Sequence, residues 1–453
     1  MLITSSLPAD DLRERLQGDI VLPGDAAYDD ARRGWNLTAD LRPAMVATPA
    51  CAEDVREIVV FAREHGLRVL MQGTGHNGTP IGEAGDVVLV RTREMRGVDI
   101  DVERRVARIE AGAVWADVTT PASEHGLAAL AGSAPDVGVV GYTLGGGLGW
   151  LGRRYGLACD RVISFDVVTA DGRLVRADRT SEPDLFWALR GGGGTYAAVV
   201  ALEMELIPLP AVTGGMMLFD WERAREVLHA WRAFTATAPE TVTTSIRIMQ
   251  IPDRPSVPEF VRGRGVVIID GAVIGDAGEA AAVLAPLRAL GPEVDTFADV
   301  PPVALSYIHM DPEDPMPAIS EHAVLDALPE EAVDLVVERF GAGSGSPLMM
   351  VELRHIGGAL ARPGTGALSH LPGEYLMFGS GVAAGPELTA ACEAAFGALR
   401  ETLAPWSSQR AYRNFAERPH GADALLGEAA ATRARAIRRA YDPDRLFTGA
   451  QDD

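Results

Sequence analysis

Lysine is absent from this sequence, and all 41 of its basic residues are arginine. A lysine that forms a Schiff base with a substrate or cofactor is therefore impossible, which excludes pyridoxal-phosphate enzymes and lysine-dependent aldolases. The P-loop lysine is missing too, which excludes ordinary Walker-type nucleotide hydrolases. The absence of one residue type thus removes several large classes of enzyme.

Cysteine is scarce as well, since Cys51, Cys159 and Cys392 are few, odd in number and far apart. They form neither a disulfide framework nor a CxxC metal site, and they suit a reducing compartment. The first residues lack a basic stretch followed by an apolar one, so we expect no signal peptide and a cytoplasmic protein. The sequence has no uncharged run of 18 apolar residues, so we expect no membrane span.

Positive charge is in deficit, because 41 basic residues stand against 63 acidic ones and the formal net charge is −22. Such a field repels phosphate backbones and anionic lipids, so we expect neither nucleic acid nor a membrane as a partner. His309, Asp311 and Asp314 resemble a metal cluster only loosely, and we expect no metal. A small molecule is the partner class that remains, and the sequence leaves the oligomeric state open.

The first 208 residues carry helix and strand patterns in alternation. Residues 52–65 place their apolar side chains on one helical face. Asp171-Gly172 separates two short apolar runs, which predicts a β-hairpin. Further strands are predicted at 67–71, 86–90, 106–112 and 196–208. The prolines at 208 and 210 indicate a boundary, and we place a first domain at 1–208.

Beyond Pro210 the pattern changes to longer strands separated by helices. It predicts one antiparallel sheet with helices on a single face, and hence an α+β chain. We place a second domain at 209–405. The segment 406–453 contains a helical pattern, and we expect it to return to the first domain. Helices are predicted near 222–236, 276–290, 330–339, 387–403 and 431–441.

Glycine-rich loops are the most informative feature of the sequence. Gly73–Gly78 and Gly147–Gly152 match GxGxxG, but neither lies between a strand and a helix as a Rossmann site requires. Glycine lets a backbone approach a ligand closely, and successive N–H groups form an anion nest. Loops at 73–78, 145–149 and 191–194 together favour a diphosphate ligand over tight turns alone.

Long segments of the chain carry a resemblance to a known family. They include RPAMVATPACAEDVREIVVFAREHGLRVLMQGTGHN, VGVVGYTLGGGLGWLGRRYGLACDRV, VVTADGRLVRAD, EPDLFWALRGGGG, VELRHIGGA, AYRNF and YDPDRLF. In order and spacing these segments resemble the FAD-linked oxidases of the berberine-bridge-enzyme type, within the vanillyl-alcohol-oxidase flavoprotein family. The resemblance implies a two-part FAD-binding domain, a substrate domain with an antiparallel sheet, and FAD as cofactor.

The resemblance also implies how the flavin is held. In the family, the histidine of the GTGHN loop bonds covalently to the flavin ring, and here it is His76. Many relatives add a second bond from a cysteine at the position of Ala134, which cannot form a thioether, so a single link is implied. The other residues assigned to the cofactor are Gln72, Gly73, Thr74, Gly75, Asn77, Ser133, Val137, Gly138, Gly141, Thr143, Gly146, Gly147, Gly149, Val199, Tyr412 and Asn414.

The sequence departs from the family at the proton acceptor. Relatives often use the second aromatic of a Tyr-x-Asn-Tyr motif, and here that position is Phe415, which has no hydroxyl. Glu352 and Tyr412 are the catalytic candidates. Strand alternation puts Glu352 and Arg354 on one face, which is either the face turned to the flavin or an outer face carrying a solvated or structural pair. The sequence leaves both possibilities open.

The candidate substrate contacts are Tyr142, Arg354, His370 and Tyr375. The segment 306–322, rich in proline and acid, is either a lid over the site or a surface loop. The resemblance implies hydride transfer from a small, neutral or weakly polar molecule to flavin, with reoxidation by O2 and release of H2O2. It also implies tailoring of a bacterial secondary metabolite such as a polyketide. A redox-neutral cyclase or rearrangement enzyme of the same fold is the alternative.

Overall fold

The computed structural model of the chain describes residues 8–78, 81, 84–255, 257 and 259–450. The outer ends of the predicted first and third segments, residues 1–7 and 451–453, lie outside this range. The described chain forms two small sheets, a separate two-stranded pair and one large sheet. The predicted α+β class is confirmed.

The first sheet is mostly parallel. Its strands are β1 (Asp19–Val21), β2 (Met45–Thr48), β3 (Arg68–Gln72) and β4 (Val87–Arg91), in the order β1-β2-β4-β3. The helices of this part are α1 (Ala9–Arg13), α2 (Tyr28–Arg32) and α3 (Ala52–Glu64). The buried stripe Val55, Ile58 and Val59 of α3 packs against the sheet, because the 3.6-residue period places all three on one side. The helix predicted at 52–65 is confirmed.

The second sheet is antiparallel and has the order β5-β6-β10-β8-β9, while β7 and β11 pair separately. These strands are β5 (Val98–Asp101), β6 (Val106–Glu110), β7 (Leu127–Ala128), β8 (Val162–Val168), β9 (Leu174–Ala177), β10 (Ala198–Glu205) and β11 (Ile207–Pro208). The accompanying helices are α4 (Trp115–Glu124), α5 (Val139–Leu144), α6 (Gly152–Tyr155) and α7 (Pro183–Leu189). The predicted hairpin between β8 and β9 is confirmed, and Gly172 turns it with a φ of +83°.

The third sheet is antiparallel, with the order β15-β12-β14-β13-β18-β19-β17 and β16 beside β12. Its strands are β12 (Val212–Asp220), β13 (Val242–Gln250), β14 (Gly265–Val273), β15 (Val294–Asp295), β16 (Ala298–Val300), β17 (Ala318–Leu325), β18 (Met350–His355) and β19 (Tyr375–Val382). Helices α8 (Ala224–Thr235), α9 (Ala277–Arg288), α10 (Glu330–Phe340) and α11 (Pro386–Leu403) pack on one face of this sheet. The predicted one-sided cover is confirmed.

The uncovered face of the third sheet packs on the first part of the chain. Val324, Ile356 and Leu376 share a buried core with the second sheet. Arg153 of α6 donates across the boundary to the carbonyl oxygens of Val242 and Ile356, and its Nη1 lies 2.8 Å from His355 Nε2. These buried contacts fix the third sheet against the glycine-rich loops.

The chain after α11 returns to the first part of the molecule through α12 (Ala422–Leu426) and α13 (Glu428–Tyr441). Ala431, Ala434 and Ile437 of α13 join the core around the second sheet. Beyond α13 the backbone pairs with β3, because Val69 N–H donates to Leu446 and Thr448 N–H donates to Val69. Among the helices described, none is long and apolar enough to cross a membrane.

Candidate functional site

The loop after β3 is pressed against the segment that precedes β2. The N–H groups of Trp35 and Asn36 donate to the carbonyl oxygens of Thr74 (2.9 Å) and Gly75 (3.3 Å). Gly75 has a φ of +82°, and a Cβ there would lie 2.8 Å from the Cα of Gly34. Only glycine can both adopt this positive φ easily and lie this close to Gly34, so Gly75 determines the shape of the loop.

His76 lies in this loop, about four-fifths shielded from solvent. Its ring stacks on Trp35 with centroids 4.5 Å apart, and its Nδ1 lies 2.8 Å from Thr74 Oγ1. On the other side, Nε2 lies 3.3 Å from Asp136 Oδ2. A carboxylate beside an imidazole nitrogen helps to fix the orientation of the ring. The ring of His76 is therefore oriented by its neighbours.

A second glycine-rich loop, residues 145–149, is held by the AYRNF segment. A Cβ on Gly145 would lie 1.6 Å from Asn414 Oδ1, and a Cβ on Gly149 would lie 1.8 Å from the carbonyl oxygen of Ala131. The N–H of Gly147 donates to the hydroxyl of Tyr412 at 3.1 Å. Asn414 Nδ2 donates to the carbonyl oxygen of Tyr142 and to the Tyr412 hydroxyl. The loop backbone is thus clamped from both sides.

Several buried polar atoms near these loops have no hydrogen-bond partner. They are Asn77 Oδ1, Asp136 Oδ1, Tyr142 OH and Thr143 Oγ1. Buried polar atoms in native proteins are rarely left unpaired, so their grouping indicates a polar ligand. Arg91 lies beside the first loop and donates to Gln72 at 2.8 Å, and burial together with the charge of Arg93 lowers its pKa to about 10. The glycine backbone N–H groups and the open hydroxyls of Tyr142 and Thr143 can donate to a diphosphate, and the open acceptors on Asn77 and Asp136 suit N–H or O–H groups elsewhere on a cofactor such as FAD.

The predicted Glu352 and Arg354 lie on the face of β18 turned toward these loops. Their alternation with Val351, Leu353 and His355 is confirmed, because the latter three face the helices or the core beneath them. The Glu352 side chain is fully buried, so a solvated pair on an outer face is excluded. Arg354 Nε donates to Glu352 Oε1 at 2.8 Å, and Oε2 has no partner.

A narrow cleft lies between this face and the second glycine loop. Its lining includes Ser133, Gly149, Trp150 and Arg354. The Arg354 guanidinium carbon lies 5.1 Å from the ring centroid of Phe415 and 6.0 Å from that of Trp150. Two aromatic faces and one carboxylate thus set the position of the arginine at the cleft.

Next to the cleft lies a group of buried charges on three neighbouring strands and one loop. Asp270 Oδ2 accepts from Arg247 at 2.5 Å and lies 2.8 Å from His309 Nδ1. Burial alone would raise the pKa of Asp270, but the charges of Arg247 and His309 outweigh it and lower that pKa. His309 Nε2 lies 3.7 Å from both Asp311 Oδ1 and Glu352 Oε1. Within the part of the chain that is described, no group of side chains has the arrangement of a metal site.

Residues 312–315 of the segment 306–322 are exposed and form neither helix nor strand, as the surface-loop alternative predicts, but the rest of the segment is different. His309 is 1% exposed and lies in the interior, while Ala318–Leu325 is strand β17 of the large sheet. Ser133 Oγ donates to Asp311 Oδ2 at 2.7 Å, which ties this segment to the loop before α5. The segment is part of the wall of the cleft.

Tyr412 is buried against the second loop. Burial raises the pKa of its hydroxyl, whose oxygen accepts from the Gly147 N–H and the Asn414 amide. A hydroxyl with a raised pKa is a weaker candidate for a base at neutral pH, because a base must lose its proton first. Tyr412 acts here as a clamp on the glycine loop.

Two of the predicted substrate contacts lie away from the cleft. Tyr375 is on the helix-covered face, where its hydroxyl bonds to Thr235 at 2.7 Å and its ring packs on Trp231. The physical reason is strand alternation, since Tyr375 pairs with His355 and shares its side of the sheet. His370 lies in the loop before β19, and the structure records no contact between it and Glu352 or Arg354. Tyr142 and Arg354 remain beside the cleft.

The remaining predicted cofactor residues line the two loops or support them. Gly138 stands at the start of α5, and a Cβ added to it would lie 3.7 Å from Thr74 Oγ1. The carbonyl oxygen of Val137 accepts from the N–H of Trp115. Gly141 faces open space, Gly146 adopts a φ of +116°, and Val199 lies in β10.

Sequence reasoning missed several residues of the site: Trp35, Arg91, Asp136, Arg247 and Asp270. Asp270 and Arg247 carried a signal, because each is a single charge inside an otherwise apolar strand. Such a charge is retained in a core only when it is paired. Trp35 and Asp136 carried no comparable pattern.

The comparisons with known proteins agree with this geometry. Residues 43–178 match the FAD binding domain family. (R)-6-hydroxynicotine oxidase of Paenarthrobacter nicotinovorans is 33% identical over 195 residues, 43% of this chain and 43% of that protein. Xylooligosaccharide oxidase of Thermothelomyces thermophilus is 35% identical over 195 residues, 42% of this chain and 39% of that protein. These alignments span less than half the length of the two relatives.

Solved structures match the chain over nearly its whole length. The BBE-like 1 protein of Physcomitrella patens has a TM-score of 0.85 at 18% identity, with 98% of both chains covered. The 6-hydroxy-D-nicotine oxidase of Arthrobacter nicotinovorans has a TM-score of 0.78 at 25% identity, covering 96% of this chain and 98% of that one. The match at residues 43–178 identifies an FAD binding domain in this chain. Over nearly its whole length the chain has the fold of FAD-linked oxidoreductases, with berberine-bridge-enzyme-like proteins among its structural neighbours.

Proposed function

We propose that the protein is an oxidase that takes a hydride from a small organic molecule onto FAD and passes the electrons to O2, releasing H2O2. The observation that carries the proposal is the carboxylate of Glu352. It is fully buried, lies on the same strand as the cleft-lining Arg354 and bonds to it, and has one oxygen without a partner. A buried carboxylate with a free oxygen beside a flavin site is placed to accept a proton.

Each side chain then has a defined part in the reaction. FAD, when bound, supplies the hydride acceptor. Glu352 takes the proton that leaves the substrate, and Arg354 donates to Glu352 Oε1, which leaves Oε2 without a partner. Tyr412 and Asn414 fix the backbone of the second glycine loop, and Phe415 presents an apolar ring where relatives carry a tyrosine. The proposed proton acceptor is therefore Glu352 on the sheet and not the second aromatic residue of the Tyr-x-Asn-Tyr motif.

His76 is the proposed covalent anchor of the flavin. Its ring is fixed by Trp35 and Thr74, and the Asp136 carboxylate lies beside Nε2. Ala134 lies in the loop where many relatives have a cysteine, so one bond is proposed and not two. In the third glycine-rich loop, residues 191–194, Gly191 lies against Leu368 and Gly193 against Arg413, so these glycines serve close packing.

The substrate that fits this cleft is small and neutral or weakly polar. The charge of Arg354 is already balanced by Glu352, so this pair offers no free positive charge to attract an anionic substrate. The names of the relatives point to oxidation of an amine heterocycle or of sugars. We propose tailoring of a secondary metabolite such as a polyketide, since Phe415 replaces the hydroxyl on which the usual alcohol oxidation depends.

The test combines peroxide release with one variant. A panel of amines, alcohols, sugars and aromatic polyketides is screened for H2O2 release by the purified holoprotein. With a compound that scores, Glu352→Gln should lower the anaerobic rate of flavin reduction about 10²–10⁴-fold, the usual worth of a general base. Flavin content and melting temperature should stay unchanged, because glutamine keeps the shape and the Arg354 hydrogen bond.

The electron acceptor is tested without a substrate. Protein reduced with dithionite and freed of excess reagent should regain its flavin colour within seconds in air and release peroxide. NAD added under nitrogen should leave it reduced. Reduced protein that persists for many minutes in air would contradict the oxidase and leave the redox-neutral reaction in its place.

A further inference from the structure

We propose that the substrate is a carbonyl compound whose oxygen binds to Arg354 and whose neighbouring carbon gives up a proton to Glu352. This inference rests on the proposed function and names the substrate class of the same site. The observation that carries it is the way in which the two side chains are joined. One hydrogen bond of 2.8 Å connects them, from Arg354 Nε to Glu352 Oε1.

This single contact leaves hydrogen-bonding atoms open on both side chains. Oε2 of Glu352 is buried without a partner. A guanidinium has five N–H donors, and the bond from Nε uses one of them. The two terminal nitrogens of Arg354 make no hydrogen bond to the part of the chain that the structure describes. The pair therefore offers an open acceptor on one residue and open donors on the other.

Trp150 adds a further donor beside Arg354. Both side chains line the cleft, and the guanidinium carbon lies 6.0 Å from the Trp150 ring centroid. The indole nitrogen Nε1 is buried and has no partner among the described residues. An indole N–H can only donate, whereas a carbonyl oxygen has two lone pairs and can accept two hydrogen bonds. A neutral amine nitrogen has one lone pair, so the two donors favour an oxygen over an amine.

The same pair favours a carbonyl compound over an alcohol. An alcohol loses its proton from the oxygen that also accepts hydrogen bonds, so base and donors must meet at one atom. In a carbonyl compound the oxygen and the acidic C–H are two bonds apart. The open atoms of Glu352 and Arg354 belong to different residues and suit such a separation. Phe415, whose ring centroid lies 5.1 Å from the guanidinium carbon, supplies no hydroxyl as an alternative base.

Proton transfer to Glu352 changes the charge that Arg354 can use. Burial would lower the pKa of Arg354, but the charges of Glu352 and Asp311 raise it overall, so the guanidinium stays charged. An ionised Glu352 balances that charge before the reaction. When Glu352 takes the proton, its own charge disappears while negative charge develops on the substrate oxygen as an enolate. Arg354 then stabilises this oxygen more strongly than it stabilised the ground state, which lowers the barrier.

The other carboxylates near Arg354 cannot replace Glu352 in this exchange of charge. Asp270 is fully buried in an ion pair of 2.5 Å with Arg247. The side chain of Asp311 is about one-third exposed, so water screens its charge. Glu352 is the carboxylate that bonds to Arg354 directly. Its protonation therefore has the largest effect on the charge that the substrate oxygen experiences.

Two C–H bonds of the substrate break in this reaction. The carbon next to the carbonyl group loses a proton to Glu352 Oε2, and the electron pair of that bond forms a double bond to the following carbon. That second carbon loses a hydride to the flavin. The product is an α,β-unsaturated carbonyl compound. The hydride and the proton together convert O2 into H2O2, and Glu352 is ionised again.

The first experiment measures the charge of Arg354 with an enolate mimic and needs no turnover. Oxidised holoprotein is titrated at pH 8 with p-nitrophenolate, and binding is followed by equilibrium dialysis. Glu352→Gln keeps an oxygen for Arg354 Nε but removes the balancing charge. It should bind the phenolate roughly 10–100-fold more tightly than the wild type, since one charge at this distance is worth about that much.

Two controls belong to this titration. The neutral p-nitroanisole should bind equally to wild type and Glu352→Gln. The double variant Glu352→Gln, Arg354→Gln should lose the gain in phenolate affinity, and it leaves no buried charge unpaired. Equal affinity of wild type and Glu352→Gln for the phenolate would overturn the proposal.

The second experiment isolates the loss of the proton. Dithionite-reduced holoprotein, which cannot accept a hydride, is incubated under nitrogen in D2O with the cyclic ketones tetralone, chromanone and cyclohexanone. NMR follows the exchange of hydrogen for deuterium next to the carbonyl group. Wild type should accelerate exchange over protein-free buffer, Glu352→Gln should be about 10²–10⁴-fold slower than wild type, and Trp150→Phe roughly 10-fold slower. His229→Asn, on the outer surface beside Asp334, should match the wild type.

The outcomes separate this inference from the oxidase itself. Ketones that neither exchange nor release peroxide, while an amine, sugar or alcohol does release it, would overturn the inference and leave the oxidase intact. Exchange that depends on Glu352, without peroxide from any compound, would support the pair and contradict the oxidase.

Discussion

His76 shows how much one side chain depends on its neighbours in this site. The histidine lies in a flexible type of sequence, GTGHNG, yet Trp35, Thr74 and Asp136 together fix its ring in one orientation. The orientation of this ring is therefore a property of three segments of the chain, of which only one carries the motif.

The attachment of the flavin is tested at this residue. Acid-precipitated wild-type protein should stay yellow, and a single peptide containing His76 should carry the flavin mass in a digest. His76→Ala should lose the colour on precipitation but keep FAD in the native state, because the glycine loops and their unpartnered polar atoms are unchanged. His65→Ala, on the C-terminal end of α3, is the control and should stay yellow. A colourless wild-type precipitate would contradict the anchor, and flavin on Cys51, Cys159 or Cys392 would contradict the single bond.

Among the elements, the second glycine loop, residues 145–149, leaves almost no space for side chains at two of its glycines, Gly145 and Gly149. Gly149 approaches the loop before α5 so closely that an added Cβ would lie 1.8 Å from the backbone oxygen of Ala131. Backbone atoms cannot move aside as a flexible side chain can, so a side chain at position 149 would force one of the two loops to shift. Since both loops line the proposed flavin site, a shift of either opens the cofactor cradle.

Gly149→Ala should therefore abolish or strongly reduce flavin loading, measured as the ratio of absorbance at 450 nm to that at 280 nm. Gly421→Ala is the control, because nothing lies within 4 Å of its added Cβ and its φ is −65°. The control should load fully. Equal loading of both variants would show that the two loops can separate without loss of the site.

The elements also show how far the sequence could lead. Periodicity predicted α3, the hairpin of β8 and β9, and the helices of the third sheet, because these signals are local. The strand alternation of β18 placed Glu352 and Arg354 correctly on one face. Whether that face was turned to solvent or to the loops depends on how the sheet packs, which no local pattern contains. The error at Tyr375 has the same origin, since its side of β19 is set by pairing with β18.

The pairing of Asp270 with His309 was out of reach for a related reason. The two residues are 39 positions apart, and one of them lies in a segment without regular structure. Long-range contacts of this kind follow from the third sheet as a whole. A single charged residue in an apolar strand indicates that it has a partner, but it does not identify the partner residue.

At the scale of the molecule, two neutral histidines join the parts of the chain. His355 Nε2 on β18 lies 2.8 Å from Arg153 of α6, and His322 Nε2 on β17 accepts from the N–H of Tyr412. Burial lowers the pKa of both to about 3, with smaller contributions from Arg153 beside His355 and from His420 beside His322. Both contacts need an unprotonated ring, so the assembly of the domains depends on pH.

The sign of the pH effect follows from these values. The unfolded chain protonates its histidines near pH 6.5, whereas the folded chain does so only near pH 3. Stability conferred by the neutral rings is therefore present above pH 6.5 and is lost progressively as the pH falls toward 3. The Glu417 carboxyl has the opposite effect on stability, because burial raises its pKa to about 7. It is a single group, whereas His322 and His355 both act in the other direction.

The wild-type melting temperature should accordingly fall between pH 7.5 and pH 5. The double variant His322→Gln, His355→Gln should fall less, because a glutamine oxygen can accept the same hydrogen bonds and does not titrate. His229→Gln on the surface should follow the wild type. Identical falls in all three proteins would show that acid acts elsewhere.

The pairing of residues 446–448 with β3 has a consequence for the order of events during synthesis. Val69 exchanges hydrogen bonds with Leu446 and Thr448, and Asp442 accepts from the N–H groups of Leu446 and Phe447. β3 leads directly into the loop that carries His76. A ribosome must add nearly 380 residues after Val69 before this edge can close, by which time the large sheet has left the exit tunnel. The strand that leads into the His76 loop therefore gains its last neighbour only after nearly all of the large sheet has been made, so the loop takes its final support late in synthesis.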